Sequence, residues 1–171
     1  QIARAHGKEV AIVEAAEEVN RRTKQRMLEK ILRALEPPAG KTVALLGLTF
    51  KANTDDLRES PALNLIEGLL AAGVRIRVHD PKALTAAEAV FGNKIQYCAD
   101  EYSAAEGAEA LVLVTEWEQY RRLDLPCLKK KMARAMIIDL RNLLTPEDVH
   151  AHGFLYEGIG RGQQRTGVNN G

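Results

Sequence analysis

The chain has 171 residues, with 24 lysines and arginines against 23 aspartates and glutamates, a net charge of +1 and a pI near 8.0. That balance argues against a nucleic-acid or anionic-membrane surface, and no apolar run approaches the length of a membrane span. The length suits one ordinary domain with a proper core and a short appendage.

The start, Gln1-Ile2-Ala3-Arg4, has no initiating Met and no signal-peptide pattern, so it reads as a piece of a longer protein. Residues 8–13 fit either a short extended segment or a frayed lead-in. Over residues 14–36, Ala15, Val19, Met27, Leu28, Ile31, Leu32 and Leu35 recur mostly at helical spacing, with charges between them. That pattern predicts an amphipathic helix. Pro37-Pro38 stops it, and Pro-Pro-Ala-Gly is the clearest linker in the chain. A strand follows over 42–48. Ser60 as cap and Pro61 at the first helical position open a helix over 62–72, with Leu63, Ile66, Leu69 and Leu70 on one face and Gly73 as its stop. Strands are expected over 74–79, 94–98, 110–114, 135–139 and 153–157, and helical segments over 82–91, 102–106 and 125–132. Thr145 is the expected cap of a further helix. From Gly158 onward the chain is rich in Gly, Asn and Gln and reads as a loose tail. Apolar strands alternating with helices predict an α/β fold: a Rossmann-like, doubly wound, mainly parallel six-stranded sheet preceded by the amphipathic helix.

The loop 47–61 is the most informative stretch. It leaves the first strand, where open α/β sheets bind ligands, and carries Lys51, Asp55, Asp56, Arg58 and Glu59. It lacks the Gly-x-Gly-x-x-Gly fingerprint, since Gly47 is the only glycine between Lys41 and Gly68. Gly40-Lys41-Thr42 precedes a strand and is no P-loop; Gly158-x-Gly160-x-Gly162 opens no helix. Lys51 is a point charge suited to a phosphate or sugar hydroxyl. Arg58 either reaches a ligand on a neighbouring domain or pairs with Asp55, Asp56 or Glu59, and the residues alone leave both readings open. Asp80-Pro81 reads as a turn and helix entry rather than a ribose carboxylate. Arg141 opens onto the same sheet edge, with Asp139 placed to orient it. Cys98 and Cys127 read as buried free thiols in a reducing cytosol, not as a nucleophile or metal pair. His150 and His152 lack a third ligand of matching spacing, so no metal site is expected. Lys129-Lys130-Lys131 reads as a solvated helix face.

Taken together, Gly47-Leu48-Thr49-Phe50-Lys51 and Thr54-Asp55-Asp56-Leu57-Arg58-Glu59-Ser60-Pro61 resemble the C-terminal domain of the UDP-glucose/GDP-mannose dehydrogenase family. So do His79-Asp80-Pro81, Leu113-Val114-Thr115-Glu116-Trp117, Asp139-Leu140-Arg141-Asn142 and the run from Gly153-Phe154 to Gly158-Ile159-Gly160-Arg161. The resemblance covers essentially the whole chain. It implies a nucleotide-sugar 6-dehydrogenase that oxidises a C6 alcohol to a carboxylate in two NAD-dependent steps through a cysteine thioester. Residues 1–36 would be the end of a helical, dimer-forming central region and 37–171 the domain holding the UDP part. Carried over by position, Phe50 and Lys51 contact the sugar nucleotide, Arg58 reaches NAD, and Arg141 is a uridine-side contact, although many relatives have Gly where Leu140 stands. The family's cysteine motif and NAD domain are not in these residues. The resemblance therefore implies a cytosolic enzyme, homodimeric at full length, whose present part holds no catalytic residue and no activity alone. UDP-glucose is the substrate implied by the Thr-Glu-Trp and Arg-Asn segments. UDP-N-acetylmannosamine, GDP-mannose or a free-standing nucleotide-binding or dimerisation module are the alternatives.

Overall fold

The computed structural model describes residues 2–159, with side chains from Glu17 onward. Helix α1 spans Ile2–Leu35, β1 Thr42–Leu46, α2 Pro61–Ala71, β2 Arg75–His79, α3 Leu84–Phe91 and β3 Gln96–Tyr97. Helix α4 spans Glu101–Ala105, β4 Ala110–Leu113, α5 Leu125–Lys131, β5 Met136–Asp139, α6 Pro146–Ala151 and β6 Leu155–Gly158. The strands pair in the order β3-β2-β1-β4-β5-β6, and every pairing is parallel. This is the doubly wound order, whose direction reverses between β1 and β4.

Buried strands explain the two layers of helices. All residues of β1, β4 and β5 are buried. Val43, Leu45, Val112 and Ile138 face a core shared with α1, α2 and α3, whereas Ala44, Leu46, Leu111 and Ile137 face one shared with α4, α5 and α6. Alternation of side chains through a sheet produces this division.

The elements appear in the expected order, with several corrections. Residues 8–13 are helical, so α1 runs unbroken through the stretch where an extended segment was an option. Strand β3 has only two residues, flanked by buried Ile95 and Cys98. In α2 the fully buried positions are Ala62, Leu65, Ile66 and Leu69, while Leu63 and Leu70 pack only partly against the core. Ser60 caps α2 through the Ala62 amide, and Gly73 ends the turn after it at φ +76°. Thr145 occupies the cap position of α6 but its side chain makes no capping bond. Short 3-10 turns at Gly92–Lys94 and Glu118–Arg122 were not anticipated. Cys98 is buried, but Cys127 is only half-buried. Lys129, Lys130 and Lys131 are exposed as expected. Gly158 closes β6 and Ile159 packs on the core, so the fold extends past the expected start of the tail. The rest of that tail, 160–171, lies outside the described residues.

Helix α1 is a full member of the core at its C-terminal end. Ile31 and Leu35 are completely buried, and Leu28 presses on Gly68 of α2 so closely that a Cβ there would sit 2.3 Å from it. Arg134 donates to the Ala34 carbonyl and Lys30 to the Gly158 carbonyl, tying the helix end to the far side of the sheet. The Pro37-Pro38 linker thus separates helix and domain in sequence but not in space. Farther up, Val19 is 64% exposed. Among the described residues, no helix is long and apolar enough to cross a membrane. Replacing Ile31 by Ala removes a fully buried side chain and is expected to cost about 2–5 kcal/mol of stability in urea denaturation of the chain. A loss under about 1 kcal/mol would show that α1 is not integral to the core.

Candidate functional site at the carboxyl edge of the sheet

The loops after β1 and β4 meet at the switch point. Gly47 turns the chain there at φ +88°, and a Cβ would lie 2.6 Å from Thr115 Cβ and 2.7 Å from its amide nitrogen. Only glycine tolerates that approach with that backbone. Thr115 in turn donates from Oγ1 to the Thr49 carbonyl at 2.6 Å, fastening the two loops together.

Asp80, at the end of β2, is 1% exposed and forms the centre of this edge. Its Oδ2 accepts from the Leu48 amide at 2.7 Å, the Thr49 amide at 3.4 Å and the Trp117 indole at 3.2 Å. Its Oδ1 accepts from the amides of Lys82 and Ala83, each at 2.9 Å. The turn role expected from Asp80-Pro81 is present, and the contacts to the β1 loop and Trp117 exceed it. The Gly47 amide donates to the His79 carbonyl, Leu48 and Thr49 to Asp80, and Phe50 to the Asp56 carbonyl. The four amides after β1, which in a dinucleotide site face the pyrophosphate, are therefore occupied from within.

Behind the edge, His79 Nδ1 lies 3.0 Å from the Tyr120 hydroxyl and 3.8 Å from a Glu101 oxygen. Burial lowers the His79 pKa, against the opposing pull of Glu101, Asp80 and Asp100, and burial raises that of Tyr120. This group packs on the α4 side of the sheet and is a structural network.

The outer loop is exposed but internally tied. Leu57 anchors it in the core, Thr54 donates to the Lys51 carbonyl, and Lys82 donates to the Asn53 carbonyl. Asn53 and Glu59 both adopt positive φ. Phe50 is 41% exposed, with the Lys51 ammonium 5.6 Å from its ring centroid. Arg58 is 88% exposed and grips Asp56 in a fork, at 2.9 Å from Nε and 2.8 Å from Nη2. Of the partners weighed for it, Asp56 is the one chosen. That guanidinium holds the Asp56 carboxyl at about 2, well under its ordinary 3.8.

Arg141 reaches across the edge. Its amide donates to Asp139 Oδ1, so Asp139 holds the backbone there and not the guanidinium it was expected to orient. Its Nε lies 2.9 Å from both the Val114 carbonyl and a Glu116 carboxylate oxygen, and Nη2 donates to the Phe50 carbonyl at 3.3 Å. Asp139 is fully buried and also receives the Leu144 amide and the Tyr156 hydroxyl. Arg141 thus meets the Phe50 backbone, and Lys51 lies over the Phe50 ring, while Arg58 stands on the outer part of the loop beside Asp56. Sequence reading missed Glu116 and the reach of Asp80. The Thr-Glu-Trp segment was the available signal, but its partners lie far along the chain. His150 and His152 meet the carbonyl oxygens of Phe154 and Asp148, and the described residues hold no cluster of three metal-ligand types.

The description "UDP-glucose/GDP-mannose dehydrogenase family, UDP binding domain" matches residues 44–146, which include this whole edge. The chain belongs to that family. A relative named UDP-glucose 6-dehydrogenase, from Pseudomonas aeruginosa, is 42% identical over 165 residues, covering 93% of this chain and 36% of the relative. A solved UDP-glucose dehydrogenase from the hyperthermophilic archaeon Pyrobaculum islandicum superposes with a TM-score of 0.74 at 31% identity, over 89% of this chain and 33% of that one. A UDP-D-ManNAc dehydrogenase from Pyrococcus horikoshii gives 0.71 at 29% identity, over 86% and 33% respectively. The chain spans about a third of the length of the relatives it matches. The family assignment agrees with the resemblance carried by the sequence motifs.

Two outcomes are expected at this UDP binding domain. Asp80→Asn keeps the shape but turns an amide NH2 towards donors, so unfolding in urea should show a loss of about 2–4 kcal/mol. Unchanged stability would show that the edge does not depend on this carboxylate. In NMR titration, the Asp56 carboxyl should report a midpoint of about 2, returning towards 3.8 in Arg58→Ala. The folded value is the depressed one, so the pair's contribution is complete above the ordinary carboxylate range and fades as pH falls through about 2. A midpoint already near 3.8 in the unmodified protein would break the Asp56–Arg58 pairing.

Proposed function

We propose that this chain is the UDP-binding part of an NAD-dependent UDP-glucose 6-dehydrogenase, an enzyme that oxidises UDP-glucose to UDP-glucuronate. One observation carries the reading: at the switch point of a sheet whose β1 amides are already bonded, Arg141 meets the Phe50 carbonyl and Lys51 lies over the Phe50 ring. With the backbone occupied, side chains are left to recognise the nucleotide. Lys51, whose ammonium meets only the Phe50 ring among the described residues, supplies a point charge for phosphate. Phe50 offers an exposed ring for a flat or apolar part of the ligand, and Arg141 offers guanidinium donors on the uridine side.

The β1 turn does not fit NAD, because no amide there is free to cradle a pyrophosphate. NAD belongs instead to the part of such an enzyme outside these 171 residues, where the catalytic cysteine also lies. Arg58, on the exposed loop, contacts the cofactor from this side. Residues 1–36 end the helical central region through which two such subunits associate. The enzyme works in the cytosol, and this chain alone holds no dehydrogenase activity.

Calorimetric titration of the chain with UDP and UDP-glucose tests the reading. Lys51→Ala is expected to weaken UDP binding about tenfold, the scale of one charge-assisted contact. An unchanged affinity would remove Lys51 from the site. Tighter binding of GDP-mannose or UDP-N-acetylmannosamine than of UDP-glucose would overturn the substrate.

A further inference from the structure

Arg141 is useful to a ligand only if its guanidinium is held in one place. Its Nε lies 2.9 Å from the Val114 carbonyl and 2.9 Å from Glu116 Oε2, and Nη2 donates to the Phe50 carbonyl. A guanidinium carries five N–H donors; the Nε hydrogen goes to Val114 and one on Nη2 to Phe50, while Glu116 faces the Nε edge as an ion pair. Nη1 has no partner among the described residues. Both carbonyls are neutral acceptors, whereas Glu116 supplies charge. The Arg141 side chain is 32% exposed and that of Glu116 41%, so water competes for both. A charge-assisted contact withstands that competition better than a carbonyl alone.

Glu116 is itself rigidly presented. Its neighbour Thr115 is fastened to the Thr49 carbonyl, and its other neighbour, Trp117, donates its indole N–H to Asp80. The Glu116 backbone therefore stands between two pinned residues, and its carboxylate meets Arg141 from that fixed root. We propose that Glu116 is a positioning residue for Arg141. It fixes the Nε edge of the guanidinium against the β4 loop and leaves the uncommitted Nη donors for the bound nucleotide. This rests on the reading that UDP sits at the switch point.

The test combines UDP titration with NMR of the arginine Nε–H signals on the same 171-residue chain. Glu116→Ala should weaken UDP binding about fivefold, and Glu116→Gln, which keeps the shape but loses the charge, should weaken it nearly as much. In an Arg141→Ala background, removing Glu116 should make no further difference, because the coupling partner is gone. The Arg141 Nε–H, donated to Val114, should be protected from exchange in the unmodified chain and exchange faster in both Glu116→Gln and Glu116→Ala. Unimpaired UDP binding by Glu116→Ala, or a loss that persists in full without Arg141, overturns the proposal. If the unmodified chain binds no UDP, the functional reading fails by itself. The Nε–H signal then decides the Glu116 hold alone: undiminished protection in Glu116→Ala refutes it, and faster exchange there sustains it.

Discussion

Asp80 stands at the end of β2 with three separate pieces of chain donating to it: the turn after β1, the turn into α3 and the indole of Trp117. A buried carboxylate is costly unless it is hydrogen-bonded, and here five donors meet its two oxygens. None of those donors is an opposite charge. The carboxylate is held by dipoles aimed at it, as a bound anion would be. Removing it would leave amides from two loops and an indole without acceptors in a buried setting. The position of the β1 loop, and so of Phe50 and Lys51 just beyond it, depends on this one side chain.

The same arrangement decides which backbone groups the β1 turn leaves open. A dinucleotide-binding sheet of this topology presents free amides after β1 and lets a phosphate approach the backbone. Here the backbone is spent on Asp80, on the His79 carbonyl and on the Asp56 carbonyl. Gly47 remains, but the space a cofactor would use beside it is filled by Thr115. The glycine thus serves loop-to-loop packing rather than ligand approach. The topology of a dinucleotide-binding sheet is retained, but the free amides of its phosphate cradle are not.

A buried base and an exposed outer loop divide the labour. Asp80, Asp139 and Thr115 are buried and fix the loop roots. The segment carrying Lys51 and Arg58 stands in water, secured by Leu57 in the core and by short-range bonds such as Asp56 to Arg58. Exposed ion pairs of that kind contribute little to stability, but they limit the conformations a loop samples. Helix α1 shows a related division. Its last turns are buried against α2, and the stretch around Val19 stands exposed.

Local sequence determined the alternation of strands and helices, the Ser60-Pro61 helix start, the Gly73 stop and the buried character of the central strands. These follow from periodicity, capping and backbone preference within a few residues. Motifs of that length also carried the family resemblance and singled out Phe50, Lys51, Arg58 and Arg141. Tertiary structure decided what short windows cannot contain. Asp80 finds Leu48 and Trp117 at separations of 32 and 37 residues, and Arg141 finds Phe50 at 91. It also resolved Arg58 onto Asp56, made the C-terminal end of α1 part of the core, and shortened β3 to two residues at the sheet edge. The physical reason is common to all of them. A side chain's type states which bonds it requires, but only the folded chain determines which distant donors and acceptors arrive within reach.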